Sequence, residues 1–323
     1  MALRRFVVAT LSAATAFAVI AATPAIASTA FTVSGTRTFH PPPYPEQLLP
    51  DHFAGHTISR IDYPAAVLGM DSSIAVAVSA LRDGLLDTPG PMVLAGFSQG
   101  AIAVAYAKQA VMALPADQRP AAQRLSFLAI GDPTGPQGIL RMIPFRIPVL
   151  GLTPFAAPET PYDTLVINGE YDGWADFPDR PWNLISLANA LMGTAYVHGR
   201  YETLPGGLDL GAVPAANITT VTNALGATTT TYLIPTAQLP LLQPLRDIGV
   251  PEPIVAAIEV PLKAVVDAGY TRHDAKPPAT QPISGPRHRG SASSPVASFR
   301  GAAGQRAAPQ RQPRAAAHRQ RRP

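Results

Sequence analysis

The segment Pro91-Met-Val-Leu-Ala-Gly96-Phe97-Ser98-Gln99-Gly100-Ala101 decides the predicted fold. Pro91 to Ala95 is predicted to be a buried strand that ends at Gly96, and Ala101 to Leu114 an alanine-rich helix. Between them lies a Gly-x-Ser-x-Gly motif, whose small residues permit the sharp turn that lifts a serine hydroxyl out of a strand end. A strand before the motif and a helix after it are the context of a nucleophile elbow. We therefore predict that Ser98 is a nucleophile, with a structural Gly-Ser turn as the alternative.

Strands and helices alternate on both sides of this motif. Residues 72–86 carry apolar side chains at helical spacing, and the apolar runs 31–33, 125–130 and 164–168 are predicted as strands. The alternation predicts a mostly parallel α/β sheet with flanking helices. Together with the elbow at Ser98, it predicts an α/β-hydrolase fold. We expect a single such domain over residues 28–272.

Two regions depart from the alternation. Residues 133–162 are rich in Pro and Gly and are predicted to form a surface excursion without a clear helix. After His198, the β-branched runs 218–222 and 229–234 predict a hairpin. The amphipathic stretches 239–247 and 253–267 are predicted to form a lid or cap over an apolar acyl site, or alternatively to pack on the sheet.

A serine nucleophile needs a base, and the chain order of this fold is serine, acid, histidine. Of the seven histidines, three precede Ser98 and two lie in the C-terminal tail, which leaves His198 and His273. His198 follows an apolar run and precedes Gly199, which suggests a loop at a strand end. It is the predicted base, and a structural histidine is the alternative.

The acid is expected just beyond a strand end, where it can orient the imidazole. Asp172 ends the turn after the strand 164–168 and is the predicted acid. Asp176 is the alternative, while Asp132 comes one strand earlier and is less suitable. A capping or turn role for Asp172 is the structural alternative.

The oxyanion of a tetrahedral intermediate needs two backbone N–H groups. One is expected from Gln99, directly after the nucleophile, and the other from the loop after the first strand, at Thr36 or Arg37. An ordinary polar turn is the alternative for that loop.

The N-terminus has the pattern of a signal peptide. Arg4 and Arg5 precede an uncharged run over residues 6–22, and Ala25-Ile-Ala27 has the small-x-small form of a cleavage site. We expect cleavage after Ala27 and a secreted or envelope protein; an uncleaved membrane anchor is the alternative.

The C-terminus is basic, because Lys276 and nine arginines follow Asp274 without an acid. Residues 273–323 are therefore predicted to be a disordered tail, which either contacts anionic lipid or wall polymer weakly or is inert. The whole chain has a net charge of +4, but residues 6–275 have a net charge of −8. Nucleic-acid binding is therefore not predicted. The chain has no cysteine and no metal-ligand or phosphate-loop spacing, so no cofactor is predicted. Its oligomeric state is not indicated.

The chain resembles the PE-PPE C-terminal domain family, mycobacterial serine hydrolases related to cutinases. Three segments over about residues 30–272 carry the resemblance, namely Gly96-Phe-Ser-Gln-Gly-Ala101, Glu170-Tyr-Asp-Gly-Trp-Ala-Asp-Phe-Pro178 and Tyr196-Val-His-Gly-Arg-Tyr201. The resemblance implies a triad of Ser98, Asp172 and His198. The chain departs from the family in having a predicted signal peptide where a PE or PPE module would stand, and from cutinases in having no disulfide.

The residues and the resemblance together predict a lipid or acyl-ester substrate. An exported serine esterase or lipase that works through an acyl-enzyme is expected. An acyltransferase that moves fatty acyl groups onto trehalose-type envelope glycolipids is one alternative, because the resemblance implies both activities. A non-catalytic envelope protein on the same fold is the other.

Overall fold

The computed structural model describes residues 28–38, 41–203 and 208–274, where the chain forms a seven-stranded sheet in the order β2-β1-β3-β4-β5-β7-β6. The strands are β1 (Thr29–Val33), β2 (Thr57–Arg60), β3 (Met92–Phe97), β4 (Leu125–Ile130), β5 (Thr164–Gly169), β6 (Ile218–Thr222) and β7 (Thr228–Ile234). The helices of these ranges are α1 (Pro45–Leu48), α2 (Met70–Asp87), α3 (Gln99–Ala113), α4 (Ile139–Met142), α5 (Leu184–Tyr196), α6 (Gln243–Asp247) and α7 (Glu252–Asp267). The predicted signal peptide or anchor, residues 1–27, and nearly all of the predicted tail lie outside the described residues.

The predicted mostly parallel sheet is confirmed. Six of the seven described strands pair parallel to their neighbours, and β6 alone runs antiparallel, to β7. All six residues of β3 are buried, because one apolar cluster beneath α2 and α3 covers one face of the sheet and a second cluster covers the other. A strand covered on both faces is continuously apolar, and this explains the unbroken run Met92–Phe97.

The turn between β3 and α3 depends on two glycines. A Cβ added at Gly96 would lie 2.2 Å from the carbonyl oxygen of Gly100, and one added at Gly100 would lie 2.3 Å from the carbonyl oxygen of Val33. Real Cβ atoms do not approach backbone oxygens so closely. The two glycines therefore let α3 start directly against the ends of β3 and β1, as the motif predicts.

The excursion between β4 and β5 is more ordered than the sequence predicts. Residues 139–142 form the single helical turn α4, and Ile147 and Leu152 form an isolated antiparallel bridge. Leu140, Leu152 and Tyr162 are buried in the cluster beneath α2 and α3. These apolar residues are spaced too irregularly to suggest a helix or strand, and their burial against the rest of the domain orders the segment.

His198 lies after a helix and not, as predicted, in a loop at a strand end. α5 ends at Tyr196, and His198 begins a 3₁₀ segment that runs to Thr203. Asn183 caps the start of α5 by accepting a hydrogen bond from the backbone N–H of Ser186 at 3.2 Å. The three apolar residues before His198 fit a strand or a helix end equally well, and the longer helical stretch decides between them.

The stretches for which a lid or cap is predicted pack on α5, and the hairpin before them completes the sheet. The predicted hairpin is confirmed as β6 and β7, with β7 joined to β5. The apolar side chains of Leu239, Leu242 and Val255 form a third buried cluster with Tyr171. Ile254 and Ile258, on the other side of α7, are exposed. The buried sides of both stretches thus pack on α5 and on the turn after β5, and a lid or cap over an acyl site stays a prediction.

The described fold continues to Asp274, two residues beyond the predicted boundary. Arg180 pairs with Asp274 at 2.5 Å, and the carboxylate of Asp179 accepts hydrogen bonds from Thr271, so this end of the chain is tied to the loop before α5. Among the helices of the described ranges, none is both long and apolar enough to cross a membrane.

Candidate active site

Ser98 occupies the strained turn between β3 and α3. Its backbone has φ 55° and ψ −115°, a left-handed conformation that is costly for a residue with a Cβ. The backbone N–H of Ser98 donates to the carbonyl of Ile130 at the end of β4, at 2.9 Å. The turn is therefore pinned to the carboxyl edge of the sheet, with the serine side chain partly exposed there.

The structure brings the three predicted catalytic residues together. His198 Nε2 lies 2.7 Å from Ser98 Oγ, and His198 Nδ1 lies 2.7 Å from Asp172 Oδ2. The three side chains come from the end of β3, the turn after β5 and the segment after α5. They form a continuous hydrogen-bonded line that runs from a buried carboxylate to a partly exposed hydroxyl.

The surroundings of Asp172 determine which ring nitrogen of His198 carries the proton. Its carboxylate is completely buried, and its Oδ1 accepts from the backbone N–H groups of Trp174 at 2.8 Å and Ala175 at 3.2 Å. An ionised carboxylate only accepts hydrogen bonds, so Nδ1 of His198 carries the proton. The neutral imidazole then presents the lone pair of Nε2 to the hydroxyl of Ser98, which is the arrangement of a general base.

Tyr201 belongs to the site although the sequence reasoning did not assign it a role. Its hydroxyl donates to Asp172 Oδ2 at 2.6 Å and accepts from the backbone N–H of Gly169 at 2.9 Å. Burial raises the pKa of this hydroxyl well above its usual value, and the neighbouring Asp172 raises it further. Tyr201 therefore remains a neutral donor. Tyr201 ends the segment 196–201, which carries part of the family resemblance, and this was the sequence signal that could have indicated a role. Its contact with Asp172, however, depends on how that segment turns after α5.

Aromatic rings enclose the imidazole. Phe97 stacks on His198 with 5.8 Å between ring centroids and an interplanar angle of 20°, while the ring of Trp174 lies 6.3 Å away. Phe97 and Trp174 directly neighbour the strand end and turn that carry Ser98 and Asp172. The segments that carry Ser98 and Asp172 thus also supply two aromatic rings beside the imidazole.

The loop after β1 approaches the nucleophile. A Cβ added at Gly35 would lie 3.3 Å from Ser98 Cβ, so residues 34–36 border the hydroxyl. The backbone N–H of Arg37 already donates to the carbonyl of Ala65 at 2.8 Å, which favours Thr36 over Arg37 as the second oxyanion donor. Within the ranges that the structure describes, the backbone N–H groups of Thr36 and Gln99 have no backbone acceptor. The amide of Gln99 also lies at the positive end of the α3 dipole.

The other acid candidates hold different partners. Asp176 Oδ2 accepts from the backbone N–H of Tyr171 at 2.7 Å, and its Oδ1 pairs with Arg272 at 2.8 Å. Burial raises the pKa of Asp176 to about 6, against the opposing effect of the Arg272 charge. Asp132 Oδ1 accepts from both the backbone N–H and the hydroxyl of Thr134. Both carboxylates support the loops around Asp172.

His273, the other candidate base, lies away from this line. It ends the 3₁₀ segment Thr271–His273, where its Nε2 lies 3.6 Å from a carboxylate oxygen of Asp267 on α7. Burial lowers the pKa of His273, and the Asp267 charge opposes that effect. Its ion-pair partner Asp267 ends α7, which packs on α5. Of the two candidate histidines, His198 is therefore the one that the structure places beside Ser98.

A cavity of about 570 Å³ lies beside the site without containing Ser98 or His198. It borders β5, β6 and β7 and is rich in threonine. Lys108, which lines it, donates to Thr164 Oγ1 at 2.9 Å, and burial lowers the pKa of this lysine to about 8. The Asp132 and Asp176 carboxylates that line it are bonded within the protein as well. These charged side chains are thus engaged in contacts outside the hydrogen-bonded line of Ser98, His198 and Asp172.

The sequence matches the PE-PPE domain family over residues 43–271. Similar proteins of Mycobacterium tuberculosis include the esterase PE16, 35% identical over 263 residues that cover 76% of this chain and 49% of PE16. They also include the diacyltrehalose acyltransferase Chp2, 32% identical over 272 residues that cover 75% of this chain and 74% of Chp2.

The chain spans about half the length of most of the curated relatives it matches, among them PPE family proteins of the same organism. Among solved structures, lysin B from Mycobacteriophage D29 matches 35% of this chain and 49% of its own, at 26% identity and a TM-score of 0.29.

We predict that Tyr201→Phe lowers kcat toward a short soluble ester by roughly tenfold, with little change in KM, because Asp172 loses one of its donors. Unfolding in urea should show a loss of about 1–2 kcal/mol, since the N–H of Gly169 loses its acceptor. Tyr232→Phe is the matched control, because the hydroxyl of Tyr232 makes no hydrogen bond to the described residues. Equal kcat values for the two variants would contradict a positioning role for Tyr201.

Proposed function

This chain belongs to the PE-PPE domain family, and we propose that it is a serine hydrolase that cleaves acyl esters of lipid-like substrates. Ser98 is the proposed nucleophile, His198 the base and Asp172 the residue that orients the base. The observation that carries the proposal is a pair of hydrogen bonds that joins the three residues. His198 Nδ1 lies 2.7 Å from Asp172 Oδ2, and His198 Nε2 lies 2.7 Å from Ser98 Oγ. The relatives named for esterase and acyltransferase activities support acyl chemistry as the reaction class.

The first half of the proposed reaction forms an acyl-enzyme. Ser98 Oγ attacks the carbonyl carbon of the ester while its proton passes to His198 Nε2. The buried Asp172 carboxylate stabilises the resulting imidazolium through Nδ1. The backbone N–H groups of Gln99 and Thr36 are the proposed donors to the oxyanion. When the intermediate collapses, the C–O bond to the leaving alcohol breaks and His198 returns the proton to that alcohol.

The second half releases the acyl group. A water molecule attacks the acyl-enzyme carbonyl, His198 takes its proton and then delivers it to Ser98 Oγ as the acid departs. The same acyl-enzyme reacts with a sugar hydroxyl if that hydroxyl replaces the water. Acyl transfer is therefore the second candidate function, favoured by the similarity to Chp2 over three quarters of both chains.

Export stays a prediction that rests on residues 1–27.

We expect a fluorophosphonate to label Ser98, detected by mass spectrometry of the peptide that contains residues 96–101. Ser98→Ala should abolish labelling and lower turnover of a short p-nitrophenyl ester by at least about 10⁴-fold. Its melting temperature should stay nearly unchanged, because a partly exposed hydroxyl contributes little packing. An unlabelled Ser98 in folded protein would favour a non-catalytic envelope protein on this fold.

Two aspartates close in sequence should respond differently to the same change. Asp172→Asn should lower kcat by roughly 10⁴-fold, because the amide disfavours the tautomer that activates Ser98. Asp176→Asn should instead cost about 1–3 kcal/mol of unfolding free energy, because Arg272 loses a buried partner, and leave kcat within about tenfold. Steady-state rates and urea unfolding of both variants provide the measurement. The reverse pattern would make Asp176 the catalytic acid.

Hydrolysis and transfer differ in which alcohol or water resolves the acyl-enzyme. With a p-nitrophenyl fatty ester and added trehalose, a hydrolase should release free fatty acid in equal amount to nitrophenol at every trehalose concentration. Mass spectrometry of the products would show acyl trehalose if transfer competes. Ser98→Ala is the control for uncatalysed exchange. If the ratio of acyl trehalose to free fatty acid rises with the trehalose concentration, acyl transfer replaces hydrolysis as the proposed function. The acyl-enzyme at Ser98 would be the same in both cases.

A further inference from the structure

The cavity of about 570 Å³ lies between the last three strands of the sheet and the excursion after β4. Alternate residues of each strand line it, and alternate residues of a strand lie on one face of a sheet. Four of these lining residues are threonines, and we call them the threonine face. They are Thr164 on β5, Thr229 and Thr231 on β7, and Thr219 on β6.

The strand register brings the hydroxyls of the threonine face together. Thr164 is paired with Thr229, and Thr231 is paired with Thr219. Paired strands lie about 4.8 Å apart, so the four residues form one continuous polar patch. Among the residues that the structure describes, the hydroxyls on β6 and β7 within this patch have no hydrogen-bond partner. Each of them can donate to a ligand and accept from it.

Two buried charged side chains line the same cavity without pairing with each other. Lys108, 9% exposed, donates to Thr164 Oγ1 at 2.9 Å, and Asp132, 4% exposed, accepts from Thr134 through Oδ1. Within the described ranges neither belongs to an ion pair, and Asp132 Oδ2 accepts no hydrogen bond.

Both charged groups therefore have unused bonding capacity. An ammonium carries three donors, and a carboxylate accepts through both oxygens. Burial lowers the pKa of Lys108 to about 8 and raises the pKa of Asp132, because each charge has lost water without gaining a full set of partners. A polar ligand in the cavity would supply the missing partners of both groups.

The charges around the cavity favour a neutral ligand. Five acidic and three basic side chains line it, which gives a formal charge of −2 with His273 neutral. A wall of net negative charge disfavours an anion, and the ammonium of Lys108 disfavours a cation beside it. A hydroxyl group is neutral and can both donate to Asp132 Oδ2 and accept from Lys108 Nζ.

The dimensions of the cavity fit a small sugar. β5 lines it from Thr164 to Asn168, a length of about 13 Å at 3.3 Å per residue. The volume is typical of sites for small molecules. A flat aromatic ligand would be expected between facing rings, but Tyr162 and His273 are the only aromatic residues among the described residues that line the cavity. Hydroxyl-bearing walls suit a ligand that carries hydroxyls of its own.

We propose that this cavity is a binding site for a neutral polyhydroxyl ligand, a sugar of one or two rings, held by the threonine face, Lys108 and Asp132. Neither Ser98 nor His198 lines the cavity, so the site is distinct from the triad and its existence does not depend on the proposed function. It is nevertheless close to the triad, because a Cβ added at Gly131, directly before Asp132, would lie 3.2 Å from Cε1 of His198.

Binding of glucose and of trehalose to the full chain tests the proposal. Saturation-transfer NMR and calorimetric titration should show saturable binding of at least one of the two sugars. Ser98→Ala should bind that sugar with the same dissociation constant, because Ser98 does not line the cavity. No saturable binding of either sugar would overturn the proposal. Loss of binding in Ser98→Ala would also overturn it, since the sugar would then lie at the serine site.

Substitutions on the two faces of the sheet locate the bound sugar. Thr229→Val with Thr231→Val should raise the dissociation constant by roughly tenfold or more, because two hydroxyls are lost without a change of shape. The matched control is Thr220→Val with Thr230→Val, since these hydroxyls lie 3.5 Å from each other on the opposite face. The control should change the dissociation constant by less than about twofold.

Lys108→Met is a second variant, which keeps the apolar stem of the side chain and removes its donors. It should also weaken sugar binding by roughly tenfold. Urea unfolding checks that each variant is folded. Unchanged binding in both cavity variants, or equal weakening by the control pair, would overturn the proposal. Fluorophosphonate labelling of Ser98 needs no sugar, so the proposed function is tested separately.

Discussion

The buried carboxylate of Asp172 is the constraint on which the arrangement of the site depends. A charge that is removed from water must be offset by donors, and here they come from three places. The turn after Asp172 supplies two backbone N–H groups, and His198 and Tyr201 supply side-chain donors from the segment after α5. Meeting this requirement brings the end of α5 against the turn after β5. His198 is thereby held at hydrogen-bond distance from Ser98.

The turn after β5 is itself supported from the C-terminal end of the described fold. Tyr171, directly before Asp172, has a positive φ of 64°, and its N–H is held by the carboxylate of Asp176. Arg272 pairs with Asp176 and stacks over the ring of Tyr270 at 4.0 Å. Gly193 of α5 reinforces the contact, since a Cβ there would lie 1.9 Å from the carbonyl oxygen of Tyr171. Residues outside the hydrogen-bonded line of Ser98, His198 and Asp172 thus fix the position of Asp172.

The turn at Ser98 is tied to the loop between β2 and α2. The hydrogen bonds of Gln99 connect the strained backbone at Ser98 to residues 65–68, which expose Val67 and Leu68. Part of the cost of the left-handed conformation at Ser98 is offset by such contacts around it.

The sequence by itself determined the strands around Ser98, the mostly parallel sheet and the short set of candidates for base and acid. These follow from local patterns, because buried strands are continuously apolar and the elbow requires small residues at Gly96 and Gly100. Only the tertiary structure decided which histidine lies beside Ser98, that Tyr201 contacts Asp172, and that the apolar stretches after residue 238 pack on α5. It also brought Leu150 to the start of α2, where its carbonyl accepts from the N–H of Met70. Such contacts join residues that are far apart in the chain, and their geometry depends on how helices and loops pack, which no local pattern of residues encodes.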